Sequence, residues 1–299
     1  MYRVPLGNWA EHVVSFLQNN VQPFFDAVTT VVNDMYNGVD WVLGKPEPLL
    51  LAAILAVVAF WLRGPLAAVA AFLGLALIDS LQLWAPAMQT LSQVIVASAI
   101  TIVLAVPLGI WSARSSWGNA LLRPVLDLMQ TMPAFVYLIP AAMLFGLGRV
   151  PGILSTVIFA MPPAVRLTSL GIKHVNREIV EAGQAFGCTP WQLLYKVQFP
   201  NALPSIMTGV NQTIMMALSM VIIASMVGAG GLGNDVLASI QRLDIGLGFE
   251  SGLSVVLLAI ILDRITESFG RSPGMARAPL LSGIRSVMRV RRAPAAQQS

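Results

Sequence analysis

The side chains that usually carry catalysis or bind metals are scarce in this sequence. It contains two histidines, His12 and His174, and one cysteine, Cys188. Three such residues, far apart in the chain, argue against a metal site and against a nucleophile activated by a histidine base. A single cysteine also excludes a disulfide within the chain. The sequence therefore predicts neither an enzyme nor a metal-binding protein.

One nucleotide-binding pattern is present, because residues 228–233 read G-A-G-G-L-G. This pattern binds a dinucleotide only between a strand and a helix of a soluble βαβ unit. Here it follows a long apolar segment, so a flexible turn at the end of a membrane helix is the better interpretation. The sequence has no G-x-x-x-x-G-K-[ST] motif, so another chain must bind ATP if ATP drives this protein.

The composition of the whole chain predicts a membrane protein. Of the 299 residues, 56% are hydrophobic and 11% are charged, and the mean hydropathy is +0.74. Soluble domains carry about 25% charged residues, so we predict an all-α integral membrane protein. The net charge of +4 then indicates basic loops on the cytoplasmic side rather than binding to nucleic acid.

About seven transmembrane helices are predicted, each with up to about 20 mainly apolar residues. The expected spans are 48–62, 65–83, 90–112, 126–147, 153–172, 205–227 and 252–262. If the polar loop at residues 173–202 and the C-terminus are cytoplasmic, that side holds 14 of the 18 lysines and arginines. The positive-inside rule therefore favours an N-terminus outside the cell and a cytoplasmic C-terminus.

The two ends of the chain differ from this apolar region. Residues 1–47 have apolar side chains at helical spacing, with an opposite face of amides and carboxylates that is too polar to cross a bilayer. We interpret them as an amphipathic interfacial segment, which Pro23 is expected to split into two helices. Packing against the rest of the protein is the alternative. Residues 268–299 are a basic tail, expected to lie on the inner leaflet or to be disordered.

The polar loop contains a pattern that predicts two short helices between Glu181 and Pro200. Asn176 is expected to cap the first helix, and Gly187 stands where a helix end requires a left-handed residue. Thr189 and Gln192 have the spacing of a capping box that begins the second helix.

The second helix is expected to end at Phe199-Pro200, and the pair of helices to expose four apolar side chains: Phe186, Trp191, Leu194 and Tyr195. In a loop that faces water, such side chains indicate a docking surface for another protein. An amphipathic loop lying on lipid headgroups is the alternative from physical chemistry alone.

The spacing in this loop resembles the coupling loop of binding-protein-dependent ABC importer permeases, E-A-A, three residues, G, nine residues, I-x-L-P. The matching residues are Glu181-Ala182-Gly183, then Gly187, then Val197-Gln198-Phe199-Pro200. Gly183, Val197 and Phe199 depart from the consensus by small or apolar exchanges. The resemblance implies contact with a separate ATPase through Glu181, Ala182, Gly183, Phe186, Gly187, Trp191, Leu194, Tyr195 and Pro200.

A second resemblance covers residues 122–172, which begin LRPVLDLMQTMPAFVYLIPAAMLFGLG. They are similar to permeases of the glycine betaine/L-proline class, which import compatible solutes and quaternary amines such as choline. Residues 88–267 fit that family's type I transmembrane domain. The resemblance implies a second copy of this permease, a periplasmic or lipid-anchored solute-binding protein, and ATP and Mg²⁺ on the ATPase chain. It implies no cofactor in this chain and a location in the cytoplasmic (inner) membrane.

Prolines within the fourth span are expected to free backbone carbonyls, at Met132-Pro133 and at Ile139-Pro140. Freed carbonyls and aromatic faces suit a pathway for a small zwitterion or cation. The candidate pathway residues are Gln130, Thr131, Met132, Pro133, Phe135 and Tyr137. Prolines that merely fit neighbouring helices are the alternative interpretation.

Two other classes of function stay open: an ion-coupled secondary transporter of similar solutes, and an osmotically gated channel. Three aspartates, Asp79, Asp127 and Asp263, fall towards predicted span ends, where solvation by the membrane interface accounts for them. A proton- or sodium-coupled transporter more often buries an ionisable group in the middle of a span, so the ABC importer is favoured.

Overall fold

A computed structural model describes residues 6–269, with the backbone alone at residues 6–10, 13 and 269. Within this range the chain is helical and has no strand. The helices are α1 (Leu6–Gly44), α2 (Pro48–Arg63), α3 (Pro65–Ser80), α4 (Trp84–Arg114), α5 (Ser116–Thr131), α6 (Phe135–Phe145), α7 (Arg149–Lys173), α8 (Arg177–Ala185), α9 (Pro190–Gln192), α10 (Phe199–Ala224), α11 (Leu232–Arg242) and α12 (Ile245–Phe269). The predicted all-α class is confirmed, whereas most of the predicted basic tail lies outside the described residues.

Four helices within the described range are long and apolar enough to cross a membrane: α4, α7, the continuous helix Pro190–Val227, and α12. Two bent pairs, α1 with α2 and α5 with α6, raise the number to six if each pair is one span. Helix α3 is apolar but shorter. The total of about seven spans therefore stays a prediction.

The predicted N-terminal helix is confirmed, but it is one helix rather than two. Helix α1 runs for 39 residues through Pro23. Before the proline, the Gln18 amide donates a hydrogen bond of 2.6 Å to the Met143 carbonyl on α6. After it, Val32 and Tyr36 are buried against α4 and α7. Because neighbouring helices hold α1 on both sides of Pro23, the loss of one backbone hydrogen bond does not divide it.

Small residues bring α4, α7 and α10 into close contact and so build the frame of the protein. A Cβ atom added to Gly109 of α4 would lie 2.6 Å from the Thr168 Cβ atom on α7. One added to Gly209 of α10 would lie 3.2 Å from the Ala164 Cα atom on α7. Such interfaces are typical of membrane helices, where van der Waals packing replaces the hydrophobic effect between helices.

The glycine-rich turn at residues 228–233 is held tightly, so the prediction of a flexible turn is wrong. Three side chains of α4 bind its backbone. The Gln93 amide donates to the Ala229 carbonyl at 2.8 Å, and the Thr90 hydroxyl accepts from the Leu232 amide at 2.8 Å. The Gln89 side chain accepts from the Gly231 amide at 3.2 Å. These contacts fix the far end of α10 to the start of α4.

Candidate functional site

The polar loop forms the two short helices that the sequence predicts. The Asn176 side chain accepts a hydrogen bond of 2.9 Å from the Glu178 amide at the start of α8. Gly187 then reverses the chain with φ +78. Thr189 and Gln192 make both hydrogen bonds of the capping box, at 2.9 and 3.4 Å. The capping residues and the turn glycine therefore determine where the short helices of the loop begin and end.

Three of the four predicted apolar side chains are exposed on this loop. Phe186 is 89% exposed, Trp191 73% and Tyr195 75%. The prediction for Leu194 is wrong, because its side chain is only 3% exposed and packs with Ile172 at the end of α7. The exposed trio is a surface patch with no covering group among residues 6–269, as expected of a site for another protein.

The second short helix does not end at Phe199-Pro200, which corrects the sequence prediction. A π-helical stretch, Leu193–Gln198, joins α9 directly to α10. Within it the Phe199 amide donates to the Leu194 carbonyl, five residues back. This wider turn lets the helix continue into Pro200, which occupies an early position of α10 where its missing N–H is tolerated. Trp191 and Tyr195 of the exposed patch consequently lie on one continuous helix of 38 residues, whereas Phe186 lies before it, at the C-terminal end of α8.

Two arginines fasten the loop. Arg177 forms an ion pair of 2.8 Å with Glu181, one turn later in α8, and both groups are exposed. The Arg114 guanidinium, at the end of α4, donates to the Pro190 carbonyl at 3.2 Å and lies 5.6 Å from the Trp191 ring centre. The loop is therefore in direct contact with the end of α4 as well as with α7 and α10. Of the other predicted coupling residues, Ala182 and Pro200 are exposed and Gly183 is half-buried.

The fourth predicted span is broken at the first of its two proline sites. Helices α5 and α6 meet at Met132–Ala134 with a bend of 101°. The helix continues through Pro140, so the predicted second break is wrong. Residues Tyr137, Leu138 and Ala141 are buried, and this packing holds α6 together across the proline. Only the Met132-Pro133 site therefore interrupts the regular hydrogen bonding.

The candidate pathway residues divide into two groups at this bend. Gln130, Thr131, Pro133 and Phe135 are exposed, and Met132 is half-buried. Tyr137 is only 7% exposed, its hydroxyl donates to the Met129 carbonyl, and its ring packs against Phe159 at 6.1 Å. Its assignment to the pathway is therefore wrong, because a solute cannot reach the ring. The four exposed residues keep their role as a prediction.

Sequence reasoning missed a charged cavity at the loop end of the helices. Asp127, which we attributed to interfacial solvation, instead forms an ion pair with Arg166 of α7. The two line a cavity of about 480 Å³ together with other polar groups of α4, α5 and α7. The spacing of Asn119, Arg123 and Asp127, one turn apart on α5, was the signal that predicts a shared polar face on this helix. Asp263 likewise has a partner, accepting from the Asn211 amide at 3.1 Å.

Comparison with known proteins assigns the chain to a family. The family described as "Binding-protein-dependent transport system inner membrane component" matches residues 105–273, more than half of the sequence. The chain belongs to this family. It is 47% identical over 272 residues to the glycine betaine/carnitine transport permease protein GbuB of Listeria monocytogenes, covering 90% of this chain and 96% of that one. It is also 47% identical to the glycine betaine/proline betaine permease ProW of Escherichia coli, covering 90% and 76%, and 45% identical to the glycine betaine permease OpuAB of Bacillus subtilis, covering 89% and 94%.

Solved structures agree on the fold of this family member. A chain of the inward-facing MetNI methionine ABC transporter superposes with a TM-score of 0.55 at 21% identity, covering 61% of this chain and 94% of that one. A second crystal form gives 0.55 at 23% identity, covering 63% and 96%. The predicted type I importer permease fold and the predicted ABC permease family are therefore confirmed.

Proposed function

We propose that this permease imports glycine betaine and related compatible solutes, such as proline, carnitine or choline, in a complex with a separate ATPase and a solute-binding protein. The observation that carries the ATPase assignment is the exposed patch of Phe186, Trp191 and Tyr195, of which the last two lie on the continuous helix Pro190–Val227, long and apolar enough to cross a membrane. The names of the three relatives support the solute class. ATP and Mg²⁺ are bound by the ATPase.

The mechanism follows from how the polar loop is fastened. Closure of two ATPase subunits on ATP moves the patch, and α10 carries this movement directly because α9, the π-helical stretch and α10 are one helix. Arg114 carries part of it to α4. The bend between α5 and α6 interrupts the regular helical hydrogen bonding beside the candidate pathway residues, and it responds by opening or closing the pathway. A second copy of this permease completes the pathway.

Reconstitution tests this function. The permease, its ATPase and its binding protein are placed in liposomes, and uptake of radiolabelled glycine betaine is measured with each component omitted in turn. We expect uptake only when all three proteins and ATP are present. Uptake driven by an ion gradient without ATP would instead show a secondary transporter, and a current in a planar bilayer would show a channel.

The topology gives a direct labelling prediction. Cys188 is half-buried and makes a poor reporter, whereas Phe186 on the next turn is 89% exposed. In a Cys188→Ser background expressed without the ATPase, Phe186→Cys should react with a membrane-impermeant thiol reagent only after the cells are permeabilised. Leu243→Cys, also highly exposed and beyond the far end of α10, serves as the matched control and should react in intact cells. The reverse labelling pattern would invert the proposed orientation.

Variants at two nearby residues of the loop distinguish docking of the ATPase from packing of the permease itself. Trp191→Ala removes an exposed ring and should leave the amount of permease in the membrane unchanged, while the ATPase no longer copurifies. Leu194→Ala empties a buried site, at a cost of about 2–5 kcal/mol in unfolding free energy, and should lower the amount and the thermal stability of the permease. Quantitative blotting of both proteins after purification checks this. Normal ATPase recovery with Trp191→Ala would contradict the docking assignment.

A further inference from the structure

The cavity on the loop side of the protein, between α4, α5 and α7, has two facing rows of polar groups. On α5 the row is Asn119, Arg123 and Asp127, each one turn after the last. On α7 it is Lys173, Ser169 and Arg166. Both ends of the cleft are bridged: the Lys173 ammonium donates to the Asn119 side-chain oxygen at 3.2 Å, and Arg166 pairs with Asp127.

The middle of the cleft is not bridged. Arg123 stands between the two bridged ends, and no carboxylate among residues 6–269 forms an ion pair with it or with Lys173. Behind it lie two buried hydroxyls, where Ser169 donates to Ser112 at 3.3 Å and Ser112 donates to Asn119 at 3.2 Å. The lining thus has three cations, one carboxylate and a set of hydrogen-bonding groups.

The depth of the Arg166 side chain within α7 indicates a functional role for this cavity. Arg166 lies seven residues before the end of α7, or about 10 Å into the helix at 1.5 Å per residue. Charges at such depth in membrane helices face water-filled cavities and mark pathways for substrates or ions. A volume of about 480 Å³ is within the range of small-molecule sites and leaves room for water beside a small solute.

We propose that this cleft is a release-side site for the carboxylate of the transported zwitterion, a proposal that rests on the function given above. The carboxylate lies between Arg123 and Lys173, and the quaternary ammonium group points towards Asp127, whose side chain is 57% exposed. Guanidinium and ammonium donors to a carboxylate make strong, charge-assisted hydrogen bonds. The excess of cations repels choline, which has a positive charge and no carboxylate. The cleft therefore binds zwitterions more tightly than simple cations, so an imported choline molecule leaves without being held there.

Binding is measured on the purified permease–ATPase complex in maltoside detergent, without the binding protein, by saturation-transfer NMR. Glycine betaine is expected to give a methyl signal that acetate competes away, and choline at the same concentration is expected to give less than a fifth of it. Arg123→Gln should weaken glycine betaine binding at least tenfold. Arg264→Gln, an exposed cation on the same side but outside the cleft, is the matched control and should change nothing. An unchanged elution volume and apparent melting temperature show that both variants are folded.

Three results would overturn the site: equal signals from choline and glycine betaine, an unchanged signal with Arg123→Gln, or no signal at all. Mass spectrometry of copurified lipid covers the other source of an oxyanion. Phosphatidylglycerol retained by the wild-type complex and lost with Arg123→Gln, without a glycine betaine signal, would assign the cleft to a lipid phosphate. If the reconstituted transporter takes up glycine betaine but binding does not depend on Arg123, the proposed site is wrong and the proposed function stands. If acetate binds at Arg123 but the reconstituted transporter shows no ATP-dependent uptake of glycine betaine, proline, carnitine or choline, the proposed solute class is wrong and the anion site stands.

Discussion

Replacing Gly187 with valine is expected to abolish solute uptake while the permease still accumulates in the membrane. Gly187 has φ +78, a conformation that costs a β-branched residue about 1–2 kcal/mol or more. No atom lies within 4 Å of a Cβ atom added there, so the substitution strains the turn without displacing a neighbour. Relief of that strain re-aims α9 and the exposed patch. Uptake, membrane abundance and ATPase retention are measured on the same preparation.

A second glycine with a positive φ provides a control outside the polar loop. Gly64, between α2 and α3, has φ +95 and ψ −174, and no described atom lies within 4 Å of an added Cβ atom. Essentially only glycine adopts this region, so Gly64→Val carries at least as much local strain, yet it should retain most of the uptake because it lies outside the loop. Gly187→Asn should keep uptake as well, because asparagine tolerates the left-handed conformation. Normal uptake with Gly187→Val would remove the coupling role from this turn.

Gly231→Ala is expected to cause a large loss of stability through the glycine-rich turn. An added Cβ atom would lie 2.5 Å from the Thr90 hydroxyl oxygen and 3.2 Å from the Thr90 amide nitrogen. That hydroxyl binds the Leu232 amide, so it cannot move away without losing the contact. Overpacking costs about 1–3 kcal/mol, and a backbone with φ +76 and ψ −168, which essentially only glycine adopts, adds about 1–3 kcal/mol.

A variant at the neighbouring Gly230 distinguishes the cost of overpacking from the cost of the backbone conformation. Gly230 has φ +82, but an added Cβ atom lies at an ordinary 3.5 Å from the Gln89 side chain. Gly230→Ala should therefore lower the apparent melting temperature of the detergent-solubilised permease by much less than Gly231→Ala. Equal shifts for the two variants would show that contact with Thr90 does not limit the turn.

The local structure of the polar loop was predictable because short-range hydrogen bonds determine it. Asn176, Thr189 and Gln192 bind backbone groups two or three residues away, and the sequence contains both partners of each bond. The same holds for the left-handed turn at Gly187. The exposure of Leu194 was not predictable in this way, because it depends on Ile172 at the end of a different helix.

The expectations for Pro23, Pro140 and Asp127 were wrong for one physical reason: contacts with residues distant in the sequence decide the outcome. Pro23 and Pro140 each remove one backbone hydrogen bond, but packing of α1 and α6 against other helices outweighs that loss. Only Pro133 coincides with a break. Asp127 has its partner, Arg166, 39 residues away in the sequence. The sequence showed that a polar face was present on α5, and the tertiary structure was needed to show what faces it.

The continuity of Pro190–Val227 makes this helix a mechanical lever. With 38 residues at about 1.5 Å each, it is about 57 Å long, and a tilt of about 5° around its middle shifts each end by about 2.5 Å in opposite directions. Its near end carries Trp191 and Tyr195, and its far end runs into the turn that Gln93 and Thr90 tie to α4. We infer that a push on the near end swings the far end the opposite way and, through these hydrogen bonds, moves the start of α4, so that one movement at the ATPase is transmitted to both sides of the membrane.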